Sequence, residues 1–315
     1  MNTAAHHTPA RLAALLAPRP VARDDHARLL AESLPFVKAM HGQTVVIACL
    51  GALAFDPAQR QILAKEAALL SLMGLRPVLV HGGAPQFQVT QGTTATDLPQ
   101  RAAIQVCRAA MQEINVELVR LLCREGVHAV GVNGQDLHAM RADATPGEAF
   151  DAEYLSLLQS NGIVPVVMPL VLDADFNHVL QRPEQMGSTL ARQLAAHAFL
   201  MVSAGDALRS NGIADGMLGR ADLQDWLANH DQAPLASEIR AALDALNHGV
   251  QTVHLIDDLK PGALVAELLT NEGAGTTICR RTGPQMLAET ARYFQDCDSQ
   301  VRADFTIEKK RVVRF

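Results

Sequence analysis

Short apolar runs rich in β-branched residues recur along the chain, separated by longer segments whose apolar residues follow helical spacing. Six runs predict buried strands: TVVIACL from residue 44, RPVLVHG from 76, HAVGVNG from 128, GIVPVVMPLVL from 162, AFLMVSA from 198 and TVHLID from 252. Runs that are apolar throughout, without alternation, are typical of parallel strands buried on both faces. The pattern therefore predicts an α/β fold, a three-layer αβα sandwich with a mostly parallel central sheet.

The segments between the strands predict the helices that cover the sheet. The clearest are residues 56–74, 98–126, 150–162, 185–197 and 236–249, and four of these segments end on glycine, a common helix C-cap. Residues 25–42 predict one more amphipathic helix, ahead of the first strand and outside the alternation. Its apolar stripe must be covered, either by the same domain or by another subunit.

Four regions follow from this organisation: a flexible N-terminal segment, an N-terminal helix, a large α/β domain, and a C-terminal extension predicted as a helix and a strand. Their bounds are residues 1–24, 25–42, 43–281 and 282–315. The N-terminal helix is the candidate for oligomerisation, so we expect a homo-oligomer.

Composition excludes several classes of function. The net charge is −6 with both signs dispersed, and the only basic run is the terminal EKKRVVRF, so neither a nucleic-acid nor an anionic-membrane surface is expected. No apolar run approaches the roughly 18 residues that a membrane span needs. The five cysteines form no C-x-x-C pair, and His6 and His7 have no third ligand beside them. We therefore expect a cytoplasmic protein with no disulfide framework and no bound metal.

Ligands of open parallel sheets bind at the carboxyl ends of the strands, which directs attention to the loops that follow them. The first loop, in TVVIACLGALAF, holds Gly51 but no positive charge. The second, VLVHGGAPQF, holds His81, Gly82 and Gly83, whose backbone N–H groups could approach an anion without a Cβ in the way. A plain tight turn is the alternative for the glycine pair, and a packed, hydrogen-bonded side chain is the alternative for His81.

The order of the segments resembles the acetylglutamate kinase family, which has the amino acid kinase fold. The resemblance is carried by GLRPVLVHGGAPQ, NVELVRLLCREGVHAVGVNGQD, NGIVPVVMPLVLD and above all ALNHGVQTVHLIDDLKPGALVAELLTNEGAGTTI, and it runs with gaps over residues 30–280. It implies a domain that binds ATP over the carboxyl ends of the strands and an acyl amino acid beside it. The implied reaction is phosphorylation of the substrate carboxylate, in which lysines and an aspartate neutralise and position the phosphoryl group.

The resemblance also reveals where this chain departs from the family. The family's lysine, lysine, aspartate and lysine for phosphoryl transfer fall on Ala48, Gln135, Glu184 and Glu238 respectively. Within GVNGQD, Gly134 and Asp136 match the family and are candidate ligand-binding residues. The chain has five lysines, and no shift of the alignment brings two of them to one site.

The site for the acyl amino acid departs from the family as well. Residues 88–98, QVTQGTTATDL, stand where the resemblance implies a hairpin and an arginine that clamps the substrate carboxylate. Without that clamp, affinity and orientation are both lost. We therefore expect no cofactor, and ATP with Mg²⁺ is implied only if the chain is an active kinase.

A second candidate site lies near the end of the α/β domain. Glu272, Gly273, Gly275 and Thr276 match the family segment that serves arginine feedback and hexamer assembly. The resemblance implies a retained effector site here. The alternative is a segment that only closes the last strand of the sheet.

Three hypotheses for the function follow. The first is a non-catalytic relative, a pseudokinase that binds a small amino-acid-like ligand or a protein partner in arginine-type amino-acid metabolism, as in arginine biosynthesis. The second is a working ATP-dependent acyl-amino-acid kinase with rebuilt residues. The third is an enzyme with different chemistry in the old crevice, for which Cys49, His81, Asp136, Glu184 and Glu238 are the available groups.

Overall fold

The structure is a computed structural model that describes residues 33–51, 53–82, 100–137, 152–172, 178–203, 207–213, 216–233, 235–257, 259–270 and 273–279. Its strands are β1 (Thr44–Cys49), β2 (Arg76–His81), β3 (His128–Asn133), β4 (Ile163–Met168), β5 (Leu170–Leu172), β6 (His178–Leu180), β7 (Ala198–Ser203), β8 (Gly216–Gly219), β9 (Thr252–Asp257) and β10 (Thr276–Cys279). Its helices are α1 (residues 33–40), α2 (Pro57–Leu72), α3 (Gln100–Arg124), α4 (Ala152–Ser160), α5 (Pro183–Gln193), α6 (Ala207–Ser210), α7 (Arg220–Asn229), α8 (Ala236–Asn247) and α9 (Ala263–Leu269). The predicted terminal regions 1–24 and 282–315 lie outside the described residues.

The central sheet has eight strands in the order β3-β4-β2-β1-β7-β9-β10-β8, and β5 and β6 form a separate hairpin. Every pairing from β3 across to β9 is parallel. At the other edge β10 runs antiparallel to β9 and parallel to β8. The prediction of a mostly parallel sheet is confirmed.

Strand β1 lies in the middle of the sheet and contributes side chains to both faces. Val45, Ile47 and Cys49 pack into the apolar core that contains residues of α2, α3 and α9. Val46 and Ala48 point the other way, into the core that contains residues of α4, α5 and α8. The predicted three-layer sandwich is confirmed, and the two cores explain why this strand is apolar throughout.

Of the predicted N-terminal helix, the structure describes α1. Phe36 and Val37 pack against the core on the α2 side of the sheet, whereas Leu34 is 44% exposed. The described part of this helix therefore packs on its own domain, and a role in oligomerisation stays a prediction.

Some predicted boundaries were wrong. The run GIVPVVMPLVL is not one strand, because β4 ends at Met168 and β5 begins at Leu170 and turns away to pair antiparallel with β6. Pro169 lies between them, and proline has no N–H with which to continue a ladder. The helix predicted from residue 185 begins at Pro183, which occupies its first turn.

Candidate functional site

The glycine loops after β1 and β2 lie side by side at the carboxyl edge of the sheet. The backbone N–H of Gly82 donates to the carbonyl of Cys49 at 3.3 Å, and Gly51 has a positive φ of 55° with open space where a Cβ would stand. Pro183 of α5 lies over Gly82, since a Cβ on that glycine would be 3.4 Å from the proline Cγ. The start of α5 therefore lies over the loop after β2 at Gly82, and Gly83 of that loop lies outside the described residues.

His81 is fully buried at the end of β2. Its Nδ1 donates to the Gly82 carbonyl at 3.1 Å, and its Nε2 accepts from the Asn115 side-chain amide at 3.0 Å. The same amide also donates to the Val166 carbonyl at 2.9 Å. Burial lowers the pKa of His81 to about 4, against a smaller opposing effect of the Gly82 hydrogen bond. The ring is thus neutral at ordinary pH, and both of its nitrogens bind protein atoms.

The loop after β3 is closely packed. A Cβ on Gly134 would come 2.7 Å from the Leu170 carbonyl oxygen and 3.0 Å from Met186 Cε, so glycine is required here by packing. Asp136 is exposed, and its Oδ2 accepts hydrogen bonds from the Asn133 backbone N–H at 3.1 Å and side-chain amide at 2.9 Å. Its carboxylate therefore stabilises the turn that contains Gln135 (Gly134–Leu137).

Ala48 is fully buried beneath α5. A Cβ built on Gly187 would lie 3.1 Å from the Ala48 Cβ and 2.6 Å from Cε2 of Phe199. This part of the crevice is filled by protein atoms, and the side chain at position 48 is enclosed.

Glu184 lies in the first turn of α5 and is buried to 5% exposure. Its Oε1 accepts a hydrogen bond from the Ser237 hydroxyl of α8 at 2.7 Å. The exposed guanidinium of Arg182 is 3.7 Å from the same oxygen. The starts of α5 and α8 are joined through this carboxylate.

Glu238 follows Ser237 in the first turn of α8. Its Oε2 is closed off from solvent and accepts no hydrogen bond among the described residues. Burial raises the pKa of Glu238, and the negative charge of Glu184 raises it further, while its own backbone N–H and Arg182 act in the opposite direction. The structure thus places Glu184 and Glu238 at the adjoining starts of α5 and α8, which the sequence alone did not establish.

The ends of β7 and β9 are joined by Asp257. Its Oδ1 accepts from the Ser203 hydroxyl at 2.9 Å, and its Oδ2 accepts from the backbone N–H of Leu208 in α6 at 2.8 Å. Both carboxylate oxygens are engaged within the chain.

The predicted effector segment is organised around Glu267 of α9. Its Oε2 accepts from the backbone N–H groups of Ala274 at 2.6 Å and Gly275 at 2.9 Å. Its Oε1 accepts from His254 Nδ1 and from the Thr277 hydroxyl, both at 2.7 Å. Burial alone would raise the pKa of Glu267, but these hydrogen bonds and the imidazole charge outweigh it and lower the pKa to about 2.

The glycines of this segment serve the same arrangement. Gly273 has a positive φ of 65°, and a Cβ there would be 2.9 Å from Glu267 Oε2. Gly275 leaves no room for a Cβ, which would lie 2.3 Å from the Leu255 carbonyl oxygen. Thr276 is buried as the first residue of β10, and Glu272 lies outside the described residues.

Sequence reasoning did not identify His254 and Glu267. A usable signal was present, since each is a titratable residue flanked by apolar residues, within VHLI and ALVAELL. Such residues are seldom buried without a partner.

In the part of the chain that the structure describes, no group of three or more His, Cys, Asp or Glu residues is arranged to hold a metal ion. In the same ranges, no helix combines the length and the apolar character needed to cross a membrane.

The sequence pattern of the Amino acid kinase family matches residues 43–257. The chain belongs to the amino acid kinase family. It is 31% identical over 283 residues to an acetylglutamate kinase of Chromobacterium violaceum, covering 81% of this chain and 97% of that protein. It is 29% identical over 289 residues to the acetylglutamate kinase of Nitrosomonas eutropha, covering 82% of this chain and 97% of that protein.

Solved structures of amino acid kinase-like folds agree with the architecture described above. N-acetylglutamate synthase from Neisseria gonorrhoeae, in complex with coenzyme A and N-acetyl-glutamate, superposes with a TM-score of 0.68 at 23% identity. The match covers 82% of this chain but 64% of the synthase chain. Giardia carbamate kinase superposes with a TM-score of 0.53 at 15% identity, over 76% of this chain and 99% of that chain. These likenesses concern the fold.

Proposed function

We propose that this member of the amino acid kinase family does not transfer phosphoryl groups and acts by binding an amino-acid-type ligand. The observation that carries the proposal is the pair of carboxylates, Glu184 and Glu238, at the adjoining starts of α5 and α8. In the acetylglutamate kinases that the sequence resembles, these two positions hold an aspartate and a lysine. A cation that would face the phosphates of ATP is replaced here by an acid.

Electrostatics supports this proposal. Near a protein surface, two opposite unit charges about 4 Å apart attract each other by roughly 4 kcal/mol, so an acid at the position of a cation removes a large stabilisation of the phosphates whether the acid is charged or neutral. Loss of a single group that stabilises transition-state charge typically lowers kcat by about 10²- to 10³-fold. The exposed Arg182 is engaged with Glu184, and it does not offset both carboxylates.

Packing at the other lysine position supports it as well. Ala48 is enclosed by α5, with Gly187 and Phe199 against it. A lysine that reached the crevice from position 48 would need space that these residues occupy. The proposal therefore rests on two independent positions of the family's phosphotransfer site.

The competing function is an active acetylglutamate kinase with rebuilt residues. It is favoured by the relatives of that name, which this chain matches over 97% of their length. Under this alternative Mg-ATP must bind at the carboxyl edge of the sheet despite the two carboxylates.

Ligand-induced stabilisation of the full chain distinguishes the two functions. We would record unfolding midpoints and calorimetric titrations with Mg-ATP, ADP, acetylglutamate and arginine, with the Chromobacterium violaceum kinase measured in parallel. A ligand at 100 times its Kd stabilises by about 2.7 kcal/mol. We expect arginine to stabilise the chain and Mg-ATP to leave it unchanged. Stabilisation by Mg-ATP as large as in the parallel kinase would overturn the proposal.

We also propose that the N-terminal helix joins copies of the chain. Leu34 of α1 is exposed while its neighbours Phe36 and Val37 pack inward. Light scattering of the full chain and of a Leu34→Ser variant tests this, with a smaller mass expected for the variant. An unchanged mass would place the contact elsewhere.

A further inference from the structure

Two acidic residues lie in the adjoining first turns of α5 and α8. Glu184 enters from α5 and receives the Ser237 hydroxyl at 2.7 Å, which fixes its position against α8. Glu238, the next residue of α8, carries an oxygen that is shut off from solvent and has no hydrogen-bond partner in the described part of the chain. A buried, unpartnered carboxylate oxygen is costly when the group is charged and much less so when it carries a proton.

The charged groups that act on Glu238 lie at the start of the facing helix α5 and in the residue before it. Glu184 opposes its ionisation, and Arg182 favours it. Arg182 is directed at Glu184, with its Nη1 3.7 Å from Glu184 Oε1, and its side chain is mostly exposed. On α8 itself, Arg240 is engaged in an ion pair with Asp231. The surroundings of Glu238 therefore favour its neutral form.

The two helices are also tied together farther along, by contacts of a different kind. The Ser188 hydroxyl of α5 donates to Asp244 Oδ2 of α8 at 2.7 Å, and Arg192 lies 3.2 Å from Asp244 Oδ1. These contacts pair a carboxylate with donors, so they stay intact when carboxylates ionise. A change of charge at Glu238 therefore acts on the first turn of α8 and leaves the middle of the helix anchored.

We propose that Glu238 is the proton-binding group of a pH-sensitive contact between the first turns of α5 and α8. With Glu238 protonated, the first turn of α8 stays packed against Glu184. With Glu238 ionised, the two carboxylates repel each other and this turn loosens while Asp244 still holds the rest of the helix. The contact lies next to Pro183, which is over Gly82; the proposal does not depend on whether the chain transfers phosphate.

The sign of the effect follows from linkage. Because the pKa of Glu238 is raised above its usual value of 4.5, the folded state binds the proton more tightly than the unfolded chain does. The contribution of this proton binding to the free energy of unfolding is complete below pH 4.5 and is lost as pH rises through the raised pKa.

Thermal unfolding of the full chain from pH 4.5 to 8 tests the proposal. We expect the Glu238→Gln variant to unfold at the same temperature as the wild type at pH 4.5 and at a temperature higher by about 2 °C at pH 8. In a Glu184→Gln background, Glu238→Gln should raise the unfolding temperature at pH 8 by less, because the repelling carboxylate is absent. Glu113→Gln, a change at an exposed glutamate of α3, is the matched control and should follow the wild type at every pH. Parallel pH courses for wild type and Glu238→Gln would overturn the proposal.

Hydrogen exchange locates the change. After correction for intrinsic exchange, peptides covering the start of α8 should lose protection several-fold between pH 5 and 8 in the wild type and not in Glu238→Gln. Peptides around Asp244 should keep their protection in both proteins. Uniform loss along α8, or no loss at its start, would contradict the proposed contact even if the unfolding temperatures differ.

Discussion

Gly187 of helix α5 lies against Ala48 of strand β1, so that a Cβ built on the glycine would be 3.1 Å from the alanine Cβ. The ring of Phe199, on the neighbouring strand β7, closes the same space at 2.6 Å. The close approach lets α5 lie directly on the sheet. It also leaves little room for a longer side chain at position 48.

Gly187→Ala should destabilise the protein, because the added methyl group must displace the Phe199 ring. Overpacking of this kind typically costs about 1–3 kcal/mol. Chemical denaturation measures the change, and the Phe199→Leu background is the control. In that background the added cost of Gly187→Ala should shrink, whereas equal costs in both backgrounds would show that Phe199 does not limit the space.

The double variant Ala48→Lys with Glu238→Lys should remain inactive as a kinase. Lysine at the enclosed position 48 is both oversized and unpaired, and we expect it to cost at least about 3 kcal/mol of stability. The single variant Glu238→Lys separates the change of charge from the loss of stability at position 48, since position 238 is less enclosed. Acetylglutamate phosphorylation by the folded double variant would show that the shortened segment 88–98 still binds substrate.

The sheet was predictable from the sequence because strands buried on both faces leave long apolar runs, as β1, β7 and β9 do. The strands β6, β8 and β10 were not predicted, and β5 was predicted as a continuation of β4, since these strands are only three or four residues long. Segments so short show no reliable periodicity of apolar and polar residues.

Glu267→Gln should weaken the segment from Gly273 to Gly275. The variant replaces a carboxylate that accepts four hydrogen bonds by an amide that accepts at one atom only. We expect a loss of about 2–3 kcal/mol at pH 7, measured by denaturation. Because the pKa of Glu267 is lowered to about 2, its contribution is present above pH 4.5 and is lost as pH falls through 2. The difference in the free energy of unfolding between wild type and variant should shrink over that range. A constant difference would contradict this role of the Glu267 carboxylate.

His81 should make the fold sensitive to acid. Its pKa is lowered from 6.5 to about 4, so the folded state binds the proton less tightly than the unfolded chain. The contribution of His81 to the free energy of unfolding is complete above pH 6.5 and declines by about 3 kcal/mol as pH falls through 4. The unfolding free energy of His81→Gln should depend less on pH in this range, and His128→Gln, at an exposed position of β3, is the control. The same pH slope in His81→Gln as in the wild type would contradict this.

The candidate site was predictable in its place but not in its contacts. Strand ends and glycines located Gly51, His81 and Gly82 at one edge of the sheet, which the structure shows. The meeting of Glu184 with Ser237, 53 residues apart in sequence, depends on how α5 and α8 pack. No local pattern encodes such a contact, and the same holds for the enclosure of His81 by Asn115.

Phosphoryl transfer itself is the most direct test of the proposed function. We would incubate the purified full chain with Mg-ATP and acetylglutamate and measure ADP formation, with the Chromobacterium violaceum acetylglutamate kinase as the positive control. The account predicts no acetylglutamate-dependent ADP above the protein-free blank. Turnover at roughly 1 s⁻¹ or faster, the ordinary range of enzymes, would contradict it and would establish this chain as a kinase with rebuilt residues.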